Sequence, residues 1–163
     1  MALDREMASV IAFMLKATGN LQPYYEKMPQ DFIVPSVYFP PPEVDSQGFT
    51  MSTYALNFVW FVKFFHSKSS LAFDLGFTAQ NALKSVRNAV PVVDNEGNPT
   101  KRIIRLRDPL LRPMDNAAQI TLMWDSPRPY RRVESQAIAA INATIELKSA
   151  YDSALAIINQ EEE

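Results

Sequence analysis

Residues 50–64 contain neither glycine nor proline, and they alternate Tyr54, Leu56, Phe58, Trp60, Val62 and Phe64 against Ala55, Asn57, Val59, Phe61 and Lys63. Period-two spacing of aromatic and branched side chains is β-strand chemistry. Because both sets are largely apolar, the strand is expected at the centre of a sheet, covered on both sides along at least part of its length. Left exposed, it would template aggregation. The remaining elements must therefore supply partners for its edges and cover for its faces.

The flanking sequence offers such material. Leu3, Met7, Val10, Ile11, Met14 and Leu15 share one helical face before Gly19-Asn20, which predicts a helix over residues 3–18. Pro23, Pro29, Pro35 and the run Pro40-Pro41-Pro42 make the next segment irregular, with residues 32–39 readable as a short edge strand interrupted by Pro35. After His66, a second helix is expected on Leu71, Leu75, Ala79, Ala82, Leu83 and Val86, with Ser69 or Ser70 as its N-cap and Gly76 weakening it slightly. Residues 90–93 and 101–107 flank Asp94-Asn95-Glu96-Gly97-Asn98, a turn composition, and so read as a hairpin. Past the Asp108-Pro109 and Arg112-Pro113 breaks, residues 119–124 alternate as another strand, which Asp125-Ser126-Pro127-Arg128-Pro129 is expected to end. From 133 to 159 there is again no glycine or proline, and Ala137, Ile141, Thr144, Lys148, Tyr151, Leu155 and Ile158 recur at helical spacing. This predicts a long C-terminal helix whose stripe, interrupted by Thr144 and Lys148, suits packing on a protein surface better than a free coiled coil.

At 163 residues, 47% hydrophobic and 21% charged, the chain suits one domain with its own core. Residues 1–132 are expected to form an α+β core, and 133–163, ending in Glu161-Glu162-Glu163, to belong to the same domain. The most apolar run is cut by Asn57 and Lys63, and Asp4, Arg5 and Glu6 come too early for a secretory leader, so a spanning helix is not expected and synthesis is expected in the cytoplasm.

Several chemistries are removed by what the chain lacks. The absence of cysteine excludes disulfides, thiolate metal sites and cysteine nucleophiles. His66 is the single histidine, which rules out multi-histidine metal motifs, and Gly19, Gly48, Gly76 and Gly97 lie too far apart for a phosphate loop. Ser67, Ser69 or Ser70 beside His66 lacks any Gly-x-Ser-x-Gly elbow, and the 94–98 turn lacks the ligand ladder of a calcium loop. No catalytic, cofactor-binding or metal-ligating residue is assigned, and no enzymatic role is expected.

Charge is the more informative signal. The net charge is only −2, yet Lys101, Arg102, Arg105, Arg107, Arg112, Arg128, Arg131 and Arg132 face only Asp108, Asp115 and Asp125 within the same stretch. On a strand, Lys101, Arg105 and Arg107 fall on one side with Ile103, and Arg102 falls on the other with Ile104 and Leu106. Such a row can face DNA, an acidic partner, a neighbouring subunit or simply solvent; no recognition helix, zinc finger or ribonucleoprotein motif accompanies it.

The order of elements, together with Tyr54-Ala55-Leu56-Asn57-Phe58-Val59-Trp60-Phe61-Val62, Gln80-Asn81-Ala82-Leu83, Val86-Arg87-Asn88, Asp94-Asn95-Glu96-Gly97, Arg105-Leu106-Arg107-Asp108-Pro109 and residues 115–125, resembles the bacteriophage tail terminator family, including its head-tail joining and minor capsid versions. The resemblance covers roughly residues 3–132. It implies an α/β (α+β) subunit, an antiparallel or mixed sheet of about four to five strands with the helices packed on it. It further implies a hexameric ring in the virion that caps the tail tube, stops its polymerisation and meets the head connector, with DNA only as passing cargo and no cofactor or membrane. The helix from 133 onward extends beyond the family pattern. On this reading Lys101, Arg102, Arg105 and Arg107, and the 40–49 loop with Pro41 and Phe49, are the expected contacts with a neighbouring subunit or the tube. Alternatives are a head completion or connector adaptor and, in another class, a small ligand-binding α/β domain.

Overall fold

The computed structural model describes residues 5–94 and 96–131. In chain order these form α1 (Arg5–Ala17), β1 (Gln22–Tyr25), β2 (Ser36–Phe39), β3 (Glu43–Gly48), β4 (Thr53–Phe65), α2 (Ser69–Ser85), β5 (Ala89–Val93), β6 (Pro99–Arg105), β7 (Leu110–Met114) and β8 (Ala117–Pro129). Described residues up to Pro129 make one compact unit, and only Tyr130 and Arg131 are described beyond it. The expected long helix over 133–159, and the assignment of 133–163 to the same domain, lie outside the described residues.

β4 and β8 pair antiparallel along their whole length, from Thr53 opposite Pro129 to Phe65 opposite Ala117. This ladder is the spine of a six-stranded sheet in the order β1-β2-β4-β8-β7, with β3 also paired to β4; β5 and β6 form a separate two-stranded sheet. β1 runs parallel to β2 and every other pair is antiparallel, so the fold is α+β with a mixed sheet. The expectation of about four to five strands was too low. The additional strands arise in stretches that proline marked as irregular: β1 holds Pro23 and β7 holds Pro113, and both are edge strands, where a missing N–H costs little.

Three local readings are corrected. The 32–39 strand shortens to β2 and is not an edge, because β1 pairs with it on the side away from β4. Residues 125–129 do not end the last strand: β7 pairs with β8 only from Ala117 to Thr121, so Pro127 and Pro129 lie where that side of β8 has no paired strand among the described residues. The N-cap of α2 is Lys68, without a side-chain cap, and the Ser69 hydroxyl instead accepts the Asn116 N–H at 3.0 Å.

Phe58, Trp60, Val62 and Phe64 of β4 form the core with Ile120, Leu122 and Trp124 of β8, under Met7, Val10, Ile11 and Met14 of α1 and Ala79 and Leu83 of α2. The rings of Phe58 and Trp124 stack 4.6 Å apart and 2° from parallel, an arrangement worth about 0.5–1.5 kcal/mol beyond its area. Gly76 has a structural reason. A Cβ there would stand 2.5 Å from Leu111 Cδ1 and 3.5 Å from Ala118 Cβ, so glycine lets α2 lie close on β7 and β8. The second face of β4 is covered less than expected: Val59, Phe61, Lys63 and Phe65 are half-buried among the described residues.

Candidate functional site

The basic row lies where the hairpin reading put it. Lys101, Arg102 and Arg105 are exposed on β6, whose residues are all exposed except Ile104. Arg107 lies just beyond β6, and its N–H bonds the carbonyl of Met123 on β8 at 2.8 Å. The four cations are not equivalent. Arg107 grips both Asp125 carboxylate oxygens at 2.7 and 2.8 Å, and this hydrogen bonding, then the charge of Asp125, raises its pKa further. Arg102 comes within 3.5 Å of Glu6. Lys101 and Arg105 have no acidic partner among the described residues.

The 40–49 segment is not a loop. Glu43–Gly48 is a strand, and Pro41 and Phe49 are the exposed residues just before and just after it. The local sequence hid this because no residue of β3 is buried, so no apolar alternation marks it; pairing with β4 alone imposes the extended state. Beyond it, Thr50 N–H bonds the Thr53 carbonyl at 2.9 Å and closes a tight turn on which Phe49 is 65% exposed and Met51 wholly exposed.

One cluster escaped sequence reasoning. Glu6, only 6% exposed, accepts hydrogen bonds from the Trp124 indole N–H at 3.1 Å and the Ser126 hydroxyl at 2.9 Å, with Arg128 at 3.9 Å and Arg102 at 3.5 Å. The carboxylate ties the first turn of α1 to β8, each of its oxygens accepting a hydrogen bond from a buried residue of that strand. The only available signal was that Glu6 precedes Val10 by one helical turn and so falls beside the buried face.

Elsewhere the geometry is that of turns and packing. His66 Nδ1 accepts the Ser67 N–H at 2.8 Å and lies 3.1 Å from the Ser67 hydroxyl, and no carboxylate bonds the ring among the described residues. Asp94 Oδ1 accepts the N–H groups of Glu96 and Asn98, each at 2.9 Å. Its pKa is lowered, chiefly by the Asn98 N–H, so this carboxylate serves the turn. Asp108 is lowered mainly by its hydrogen bond from Lys84, which pins the end of α2. No group of three or more histidine and acidic residues with metal-binding geometry occurs among the described residues. An open cleft of about 600 Å³ lies among α1, α2 and the β5–β6 hairpin, lined by Phe13, Val86, Pro91 and Val93. Among the described residues that line it Lys16 is the one ionisable group, so they do not supply the converging polar groups of a ligand or reaction site. No described helix is long and apolar enough to cross a membrane.

Comparison with known proteins adds ancestry. No protein-family model matches the chain. YqbJ, an uncharacterized protein of Bacillus subtilis (strain 168), is 33% identical over 136 residues, covering 83% of this chain and 93% of that protein. XkdJ of the phage-like element PBSX, from the same strain, is 29% identical over 141 residues, covering 86% of this chain and 96% of that one. Among solved structures, a chain from the virion of a native gene transfer agent particle is similar over 75% of this chain and 92% of that one, at 12% identity with a TM-score of 0.46.

Proposed function

We propose that this chain, which belongs to the family of Bacillus subtilis YqbJ, is a non-enzymatic structural protein of a phage or phage-derived particle, and within it the terminator subunit whose ring caps the tail tube. The observation that carries the phage assignment is the relationship to XkdJ, a protein of the phage-like element PBSX, over 96% of its length. Supporting the terminator reading are the order of elements and the division of the surface. A cap needs adhesion toward its own copies, toward the tube and toward the head connector, and needs no reaction centre. Two strands of the described unit offer exposed charge for such adhesion, Glu43 and Asp45 on β3 and Lys101, Arg102 and Arg105 on β6. The ring would sit at the head-proximal end of the tail in the virion.

Removing this chain from an otherwise complete particle tests the proposal. Electron micrographs should then show tubes of uncontrolled length and separate, DNA-filled heads. Tubes of normal length lacking only head attachment would assign the chain to head completion, and intact particles would reject a structural role.

A further inference from the structure

Two strand edges of opposite charge lie on opposite flanks of the described unit. Among the described residues β3 is bonded through one edge only, to β4, and all of Glu43–Gly48 is exposed. Glu43 stands opposite Val59 and Asp45 opposite Asn57, so both carboxylates project from the same face of β3. Neither has a cationic partner among the described residues. On the other flank, beyond β8, β6 is paired only to β5 among the described residues, its outer edge meeting β8 just past its end through the Arg107 N–H bond to Met123, and Lys101 and Arg105 have no acidic partner there. Each edge also carries an exposed apolar residue, Val44 at 51% and Ile103 at 57%.

An unpaired strand edge is a template for another strand, and the charges on it decide which strand is accepted. Joining β3 to β3 would set Glu43 and Asp45 against their own copies, and joining β6 to β6 would do the same with Lys101 and Arg105; like charges directly opposite are destabilising. Only β3 against β6 brings opposite charges together: with Glu43 directly opposite Arg105 in an antiparallel join, Asp45 faces Ile103 and lies diagonal to Lys101, within reach of its long side chain. A contact between two different patches is heterologous, and it propagates from copy to copy until it closes into a ring or runs on as a filament.

We infer that the acidic edge β3 of one copy seats on the basic edge β6 of the next, so that these two surfaces are the two halves of a single subunit junction. The inference rests on the ring reading above and deepens it by naming the joined edges. A strand-to-strand junction alone falls short of the roughly 800 Å² per partner typical of stable complexes. Assembly through it is therefore concentration-dependent and weakened by salt.

Charge exchange tests the junction on the full chain. One variant carries Glu43→Lys with Asp45→Lys, and the other carries Lys101→Glu with Arg105→Glu. All four sites are exposed, and urea unfolding checks that both variants fold. Light scattering at low salt, with and without tube protein, should show assembly of the unsubstituted chain and monomers for each variant alone. Mixing the two variants in equal amounts should restore assembly, because both junctions become complementary again. Variants that assemble alone, or a mixture that stays monomeric, would overturn the edge assignment while leaving a ring made by the unsubstituted chain standing. Failure of the unsubstituted chain to assemble even on tubes would remove the ring reading and the junction together.

Discussion

Glu6 allows the energetics of this fold to be tested sharply. Replacing it with alanine strips the acceptor from two buried donors, the Trp124 indole N–H and the Ser126 hydroxyl, whose residues are 1% and 2% exposed. Each orphaned donor costs roughly 1–3 kcal/mol, reduced for serine because its hydroxyl can rotate. Relief from holding a buried carboxylate and the better helix propensity of alanine offset part of this. Arg102 contributes little, being 68% exposed and 3.5 Å away. The expected loss for Glu6→Ala is about 3 kcal/mol, a large part of the ~5–15 kcal/mol that holds a domain together. Glu6→Gln keeps an acceptor for Trp124 and can donate to the Ser126 oxygen, so its loss should stay below about 1 kcal/mol. The two variants should thus differ by about 2 kcal/mol, close to 30-fold in the folding equilibrium. Urea unfolding followed by tryptophan fluorescence measures this, with an unchanged m-value as the check on two-state behaviour. Equal losses for the two variants, or a loss under about 0.5 kcal/mol for alanine, would refute the claim that this carboxylate satisfies buried donors.

Two further outcomes follow from local geometry. Asp94 should titrate below the ordinary carboxylate range in carbon-detected NMR, and because its folded pKa is depressed, its contribution is complete above the unfolded value and lost as pH falls through the folded one; Asp94→Ala should remove that titration and speed hydrogen exchange at the Glu96 and Asn98 amides. At Gly76, valine should lower stability by about 1–3 kcal/mol through overpacking against Leu111, whereas alanine should cost less because the Leu111 methyl can turn aside, a ranking that thermal unfolding would reveal.

The parts of this fold legible in sequence are those whose own residues carry the pattern. β4 declares itself because Phe58, Trp60, Val62 and Phe64 alternate onto a buried face, and α1 because Met7, Val10, Ile11 and Met14 recur at helical spacing. β3 is illegible because Glu-Val-Asp-Ser-Gln-Gly buries nothing and is held extended by its partner. β8 outruns its expected end because Pro127 is forbidden only where a neighbour needs its N–H, and which side of a strand has a neighbour is a fact of topology. The same division applies to the candidate site. Lys101, Arg102, Arg105 and Arg107 stand out as a row of like charge, but that Arg107 is bound to Asp125 and Arg102 lies near Glu6 depends on elements brought together from across the chain. Glu6 reads as an ordinary first-turn acid until Ser126, 120 residues later, is placed beside it.

Capping itself is the most direct test of the account. Polymerising tube protein should stop elongating when the purified chain is added, and the label on the chain should appear as one ring at a single end of each tube. Tubes that lengthen at an undiminished rate, or label scattered along their walls, would contradict it.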